Sequence, residues 1–141
     1  MFNQILIPID LAHQKHLARL RESARLLVGG GGSITLLYVD SKTVHKEALM
    51  TQLGESQFAE HEREAQAQLQ RLSSSLQLEN VTMNVVIREG TAHDQILEHA
   101  DEIGADAILM MASRPGLADY FIGSTAERVV RHAGCSVFVI R

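Results

Sequence analysis

The sequence predicts an α/β protein built on a parallel sheet of five strands with four main helices. Three observations point there. Five short segments rich in β-branched and aliphatic residues recur along the 141 residues, and stretches of helical periodicity lie between them. Several of the strand segments are nearly unbroken apolar runs, such as Ile5-Leu6-Ile7 and Ala107-Ile108-Leu109-Met110-Met111. Such runs belong to strands covered on both faces, the situation in a parallel sheet, and strict strand–helix alternation means βαβ units.

The strands are predicted at Gln4–Ile9, Ser33–Val39, Val81–Ile87, Ala107–Ala112 and Ser136–Ile140. A first helix carries Leu17, Leu20, Ala24 and Leu27 on one face, and the glycines Gly29–Gly32 read as its C-terminal stop. A second carries Ala65, Leu69, Leu72 and Leu76 after a longer polar stretch, Ser41–Glu60. A third carries Ile96, Ala100 and Ile103 and opens with Thr91 and Asp94 in capping-box spacing. The fourth carries Ala126, Val129, Val130 and Ala133, and Ser124 with Glu127 repeats the capping-box pattern. No repeat or linker interrupts the series, so residues 1–141 are expected to form one domain.

Composition excludes several functions. The formal net charge is -4, against the clustered cations that nucleic-acid binding requires. Aromatics are 4% with no Trp, too few for stacking platforms on single strands. One cysteine, Cys135, permits neither an intrachain disulfide nor a Cys-pair zinc site. No apolar run reaches the roughly 18 residues of a membrane span, and the start lacks the pattern of a signal peptide. A reducing, cytoplasmic setting follows as the expectation, with no membrane insertion.

Ligands of open α/β sheets bind outside the carboxyl ends of the strands. Three such ends look chemical here: Pro8-Ile9-Asp10, Val39-Asp40, and Met111-Ala112 followed by Ser113-Arg114-Pro115-Gly116. The step Gly123-Ser124-Thr125 then opens the last helix. Its glycine admits close approach, its N–H groups and helix dipole favour an anion, and its hydroxyls add donors. Arg114 could pair with phosphate from the same region. A plain helix cap remains the alternative, and a Glu127 folded back on the helix start would oppose phosphate. Asp10 suits a ribose, a divalent cation such as Mg²⁺, or a cap on the first helix. The seven histidines form no metal motif, and Cys135 reads as a small apolar residue. No nucleophile–base–orienter pattern appears, so the chain reads as a regulator rather than an enzyme.

The order and spacing of three blocks are specific: Ala107 to Pro115, Tyr120-Phe121-Ile122-Gly123-Ser124-Thr125-Ala126, and Val129-Val130-Arg131-His132-Ala133 running into Cys135–Arg141. With Ile5-Leu6-Ile7-Pro8-Ile9-Asp10, Leu36-Leu37-Tyr38-Val39 and Glu89-Gly90, they closely resemble the universal stress protein family. The resemblance covers the whole chain and is weakest from Ser41 to Leu78. It implies a three-layer Rossmann-like sheet of order 3-2-1-4-5. It also implies a homodimer through the last strand, Ser136, Val137, Phe138, Val139 and Ile140, paired antiparallel across a two-fold axis; an apolar edge needs such cover.

Nucleotide-binding members follow Gly-x2-Gly-x9-Gly-Ser/Thr. Here Ala112 stands at the first glycine and Pro115, or Gly116 in a shifted register, at the second; only seven residues separate Pro115 from Gly123, and Gly123-Ser124 is intact. Ala-Ser-Arg-Pro resembles the subgroup with an Ala-Ser-His-Arg-Pro loop, lacking its His. The resemblance thus implies an adenine nucleotide, ATP with or without Mg²⁺. Pro8, Ile9 and Val39 would line the adenine pocket, and Asp10 would meet ribose or metal. Met111 and Ala112 would flank base and sugar, while Arg114, Gly123, Ser124 and Thr125 would hold phosphates. The alternative is a dimeric interaction module of the same fold that binds no nucleotide; the resemblance also allows slow ATP hydrolysis as a lesser reading, although no residue is placed to activate water. Protein partners and the stress signal are not legible.

Overall fold

The computed structural model describes residues 1–11, 16–40, 55–112 and 123–141. In chain order the elements are β1 (Phe2–Pro8), α1 (Leu17–Leu27), β2 (Val28–Asp40), α2 (Glu55–Ser75), β3 (Thr82–Glu89), α3 (Ala92–Ile103), β4 (Ala107–Met111), α4 (Ser124–His132) and β5 (Ser136–Ile140). The strands form one sheet in the order β3-β2-β1-β4-β5, every neighbouring pair parallel. The predicted α/β architecture and strand order are those observed, and most strand boundaries fall within two residues of prediction. The polar stretch before α2 lies largely outside the described residues.

The period-2 alternation of the central strands builds two cores. Ile5, Ile7, Ile34, Leu36, Ala107 and Leu109 face one side, where Leu20 and Ala24 of α1 and Leu69 and Leu72 of α2 cover them. Leu6, Leu37, Ile108 and Met110 face the other, under Ile96 and Ala100 of α3 and Ala126 and Val129 of α4. Both faces of β1 and β4 are therefore dry, the reason their sequences are unbroken apolar runs. Val130 departs from the expected helix face and is 49% exposed. It stands about 100° round the axis from Val129, which alone of the pair reaches the sheet.

The glycine run also departs from expectation. α1 stops at Leu27, Val28 is already extended (φ -76°, ψ 136°), and Gly29–Gly32 belong to β2. Register runs from Phe2↔Val28 to Gln4↔Ser33, so β2 spends five residues where β1 spends two. The glycines form this bulge. A Cβ on Gly32 would stand 2.9 Å from the Gly29 carbonyl oxygen and 3.1 Å from that of Asn3. Gly31 adopts φ 80° and donates its N–H to the Asn80 carbonyl at 3.0 Å. Close packing and positive φ, rather than helix termination, require glycine here.

Candidate functional site

The register of the sheet ends the pairing of the central strand β1 with its neighbour β4 short of their carboxyl ends. β1 pairs with β4 only at Ile5↔Ala107 and Leu6↔Ile108. Beyond that level β1 stays bonded to β2 as far as Pro8↔Leu37, and β4 to β5 as far as Met111↔Ile140. The two strands are therefore unpaired with each other toward their carboxyl ends, where Pro8 has no N–H to donate, and each is held from outside. This is the topological switch point: the chain leaves β1 outward through β2 and β3, then returns on the other side through β4 and β5.

One wall comes from β1 and β2. The Ile9 N–H donates to the Leu37 carbonyl at 2.8 Å, which fixes Pro8 and Ile9 beside the end of β2. Asp10 follows and is exposed, while Val39 and Asp40 are partly buried. α1 takes His16 as its N-cap, so the alternative role of Asp10 as that cap does not hold. Tyr38 belongs to the same wall and was not singled out from sequence, because it reads as one more apolar position of β2. Burial pushes its phenol above the ordinary range, and the Asp40 and Asp10 carboxylates push it the same way. Tyr38 thus stays protonated with both carboxylates within electrostatic reach.

The opposite wall comes from β4, β5 and α4. The Ala112 N–H donates to the Ile140 carbonyl at 2.7 Å, and the Gly123 N–H donates to the Ala112 carbonyl at 2.5 Å. Both backbone polar groups of Ala112 are therefore in use, and Gly123 is pinned against the end of β4. Gly123 is the N-cap of α4, with extended backbone and no side-chain cap bond. The expected capping box does not form. Glu127 turns along the helix to Arg131, Oε1 to Nη2 at 2.9 Å, and leaves the helix start. The first intrahelical bond is Glu127 N–H to Gly123 carbonyl at 3.0 Å. The N–H groups of Ser124, Thr125 and Ala126 precede that ladder and point out of the helix end. Thr91 of α3 likewise makes no side-chain cap bond; the neighbouring Asp94 instead lies 3.2 Å from His93.

Ala112, Gly123, Ser124 and Thr125 are thus gathered on one side, Pro8, Ile9, Asp10 and Val39 on the other, with Met111 at the end of β4 between them. Arg114 lies outside the described residues. An anion is matched by the helix start with its glycine and two hydroxyl residues, from which Glu127 has turned away. Among the described residues no cluster of three or more His, Cys, Asp or Glu side chains could hold a metal alone. Mg²⁺ commonly needs only one or two carboxylates beside the phosphates of its nucleotide, and Asp10 with Asp40 offers that donor chemistry.

Away from this edge, Cys135 is partly buried. Burial raises its thiol pKa and the Asp101 and Asp106 carboxylates add to the rise, which suppresses the reactive thiolate. At the open side of the sheet, Ser136 is exposed and Val137–Ile140 are partly buried. No helix among the described residues is long and apolar enough to cross a membrane.

Comparison with known proteins agrees with this architecture. Universal stress protein G of Shigella flexneri is 29% identical over 146 residues, spanning 100% of both chains. Among solved structures, the hypothetical protein MJ0577 superposes with a TM-score of 0.80 at 20% identity, covering 99% of this chain and 96% of its own. The universal stress protein from Archaeoglobus fulgidus in complex with dAMP gives 0.64 at 20% identity, over 99% and 98%. A universal stress protein family protein from Arabidopsis thaliana with AMP bound gives 0.64 at 16%, over 98% and 90%. At these identities the structural likeness is one of fold. The model of the universal stress protein family matches residues 1–141, and the chain belongs to that family.

Proposed function

We propose that this chain is a stress-response regulator that binds an adenine nucleotide, ATP with or without Mg²⁺, in the crevice between β1 and β4. In this reading it acts in the cytoplasm as a homodimeric sensor or adaptor and not as an enzyme. The observation that carries it is the early end of β1–β4 pairing beside an α4 start whose Glu127 has turned away to Arg131. Adenine would lie against Pro8, Ile9 and Val39, with Met111 and Ala112 flanking base and sugar. Asp10 would accept from ribose hydroxyls or hold Mg²⁺. The phosphates would take the N–H groups of α4, the Ser124 and Thr125 hydroxyls beside Gly123, and Arg114.

The dAMP and AMP complexes of two fold neighbours support the adenosine part of this reading. The Ala112–Ser113–Arg114–Pro115 sequence supports membership of the Ala-Ser-His-Arg-Pro subgroup, with Arg114 standing in for donors that the glycine pattern would supply. The committed backbone of Ala112 fits that substitution, because it has no N–H left for phosphate. Native mass spectrometry of gently purified protein, followed by calorimetry with ATP and Mg²⁺, tests the proposal. Co-purified nucleotide or a saturable isotherm is expected; no heat at millimolar ATP would overturn it in favour of a nucleotide-free interaction module.

A further inference from the structure

A cation stands between two helix starts at the same edge of the sheet. Arg25, Arg88 and Arg131 are each held by a carboxylate, at 2.5 Å to Glu22, 2.7 Å to Glu102 and 2.9 Å to Glu127. Arg128 makes no such pair among the described residues; its Nη1 lies 3.4 Å from Nε2 of His93. His93 is the second residue of α3, which starts just beyond Glu89-Gly90 at the carboxyl end of β3. Asp94 approaches the same imidazole nitrogen at 3.2 Å. The local set is thus one guanidinium, one imidazole and one carboxylate, flanked by the positive ends of α3 and α4.

Helix geometry brings Arg128 to the nucleotide side. It follows Thr125 by three residues and Ser124 by four, so all three share a face of α4. Helical side chains lean toward the N-terminus, which carries the guanidinium back over the first turn. Charge is therefore divided across the edge. Asp10 follows β1, and Asp40 and Glu89 end β2 and β3, whereas Arg128 lies with the start of α4 beyond β4. An uncharged base and ribose suit the first side and a polyphosphate the second.

We propose that Arg128, seated against His93, reads the length of the phosphate tail and makes this chain prefer ATP and ADP over AMP. The inference rests on the adenine-nucleotide reading above. The helix start and its hydroxyls suffice for one phosphate, and a second comes within reach of the guanidinium fork, which matches phosphate oxygens in pairs.

The test is calorimetry of the full chain with ATP, ADP, AMP and adenosine, repeated on Arg128→Gln and on Arg25→Gln. Arg128→Gln is expected to weaken ATP and ADP about tenfold while AMP and adenosine keep their affinities. Arg25→Gln makes the same charge change near the C-terminal end of α1, away from this edge, and is expected to alter none of the four. Arg128→Lys should recover only part of the loss, since it restores charge without the fork. Equal weakening of ATP and AMP, no weakening, or an equal effect of Arg25→Gln would each overturn the assignment while leaving nucleotide binding intact. Failure of the unmodified protein to bind any of the four would overturn the underlying reading as well. Arg128 is exposed, so unchanged thermal unfolding of the variants serves as the folding control.

Discussion

Asp106 shows how one side chain joins two strands that sequence separates widely. Its carboxylate accepts the N–H groups of Asn3 and Gln4, both at 2.9 Å, while its own N–H donates to the Gln4 carbonyl at 3.0 Å. The start of β1 is thereby tied to the residue just before β4. Burial pushes the Asp106 carboxyl upward, but hydrogen bonds from the N–H groups of Asn3, Gln4 and Asp106 itself outweigh it, so its pKa lies below the ordinary range. The sign follows. A depressed folded-state pKa means stability that is present above the unfolded value of about 3.9 and is lost as pH falls through the folded value. Asp106→Ala is expected to cost about 1 kcal/mol at pH 7, the low end for charged hydrogen bonds because the group is partly solvated. Urea unfolding at pH 7 and at pH 3 checks this, and the gap between wild type and variant should narrow at the lower pH.

At the scale of elements, α4 separates two roles that its sequence cannot. Ser124 with Glu127 has the spacing of a capping box, but Gly123 is the N-cap and Glu127 belongs to Arg131. Ser124→Ala is therefore expected to change unfolding free energy by less than about 0.5 kcal/mol, where loss of a true cap costs about 1 kcal/mol. Its effect should appear instead as several-fold weaker ATP binding, read by calorimetry beside chemical denaturation. The contrast marks what sequence discloses. Strands and helix faces were legible because burial on both sides of β1 and β4 forces unbroken apolar runs, and Leu20, Ala24, Ile96 and Ala100 repeat at helical period. The partner chosen by Glu127 was not legible, since Gly123 and Arg131 both lie within its reach along one helix. Nor was the role of the glycine run. A helix stop and a bulge need the same residue type, and only the register against β1 decides between them. Of the candidate site, Asp10 and Gly123–Thr125 could be found from residue chemistry. Tyr38 and Arg128 could not, for each depends on neighbours from another element.

The whole molecule raises the question of what covers the open edge of β5. Ile140 turns its carbonyl to β4, accepting the Ala112 N–H at 2.7 Å. The N–H and C=O of one strand residue point the same way, and successive residues alternate. Val139 and Val137 therefore direct their backbone groups to the open edge, and Ser136, Phe138 and Ile140 direct theirs inward. The side chains obey a separate alternation between faces. Val137 packs with the core beneath α3 and α4, while Phe138 meets Phe2 edge-on with ring centroids 5.3 Å apart. Antiparallel pairing of two β5 strands would thus consume outward backbone groups without disturbing either core. Proline tests this directly, because it deletes a backbone donor and is tolerated where that donor faces away from the sheet. Val139→Pro is expected to leave a folded monomer and abolish the proposed homodimer. Ile140→Pro removes an inward N–H and should lower the unfolding midpoint itself. Sedimentation equilibrium measures the first effect and thermal unfolding the second. A Val139→Pro protein that still sediments as a dimer would exclude β5 as the interface. The same strand end also reaches the crevice, since Gly123 bonds Ala112 and Ala112 bonds Ile140. Nucleotide held at the start of α4 should accordingly shift the dimer dissociation constant of the wild type, and by linkage the Val139→Pro monomer should bind nucleotide with an affinity different from that of the dimer.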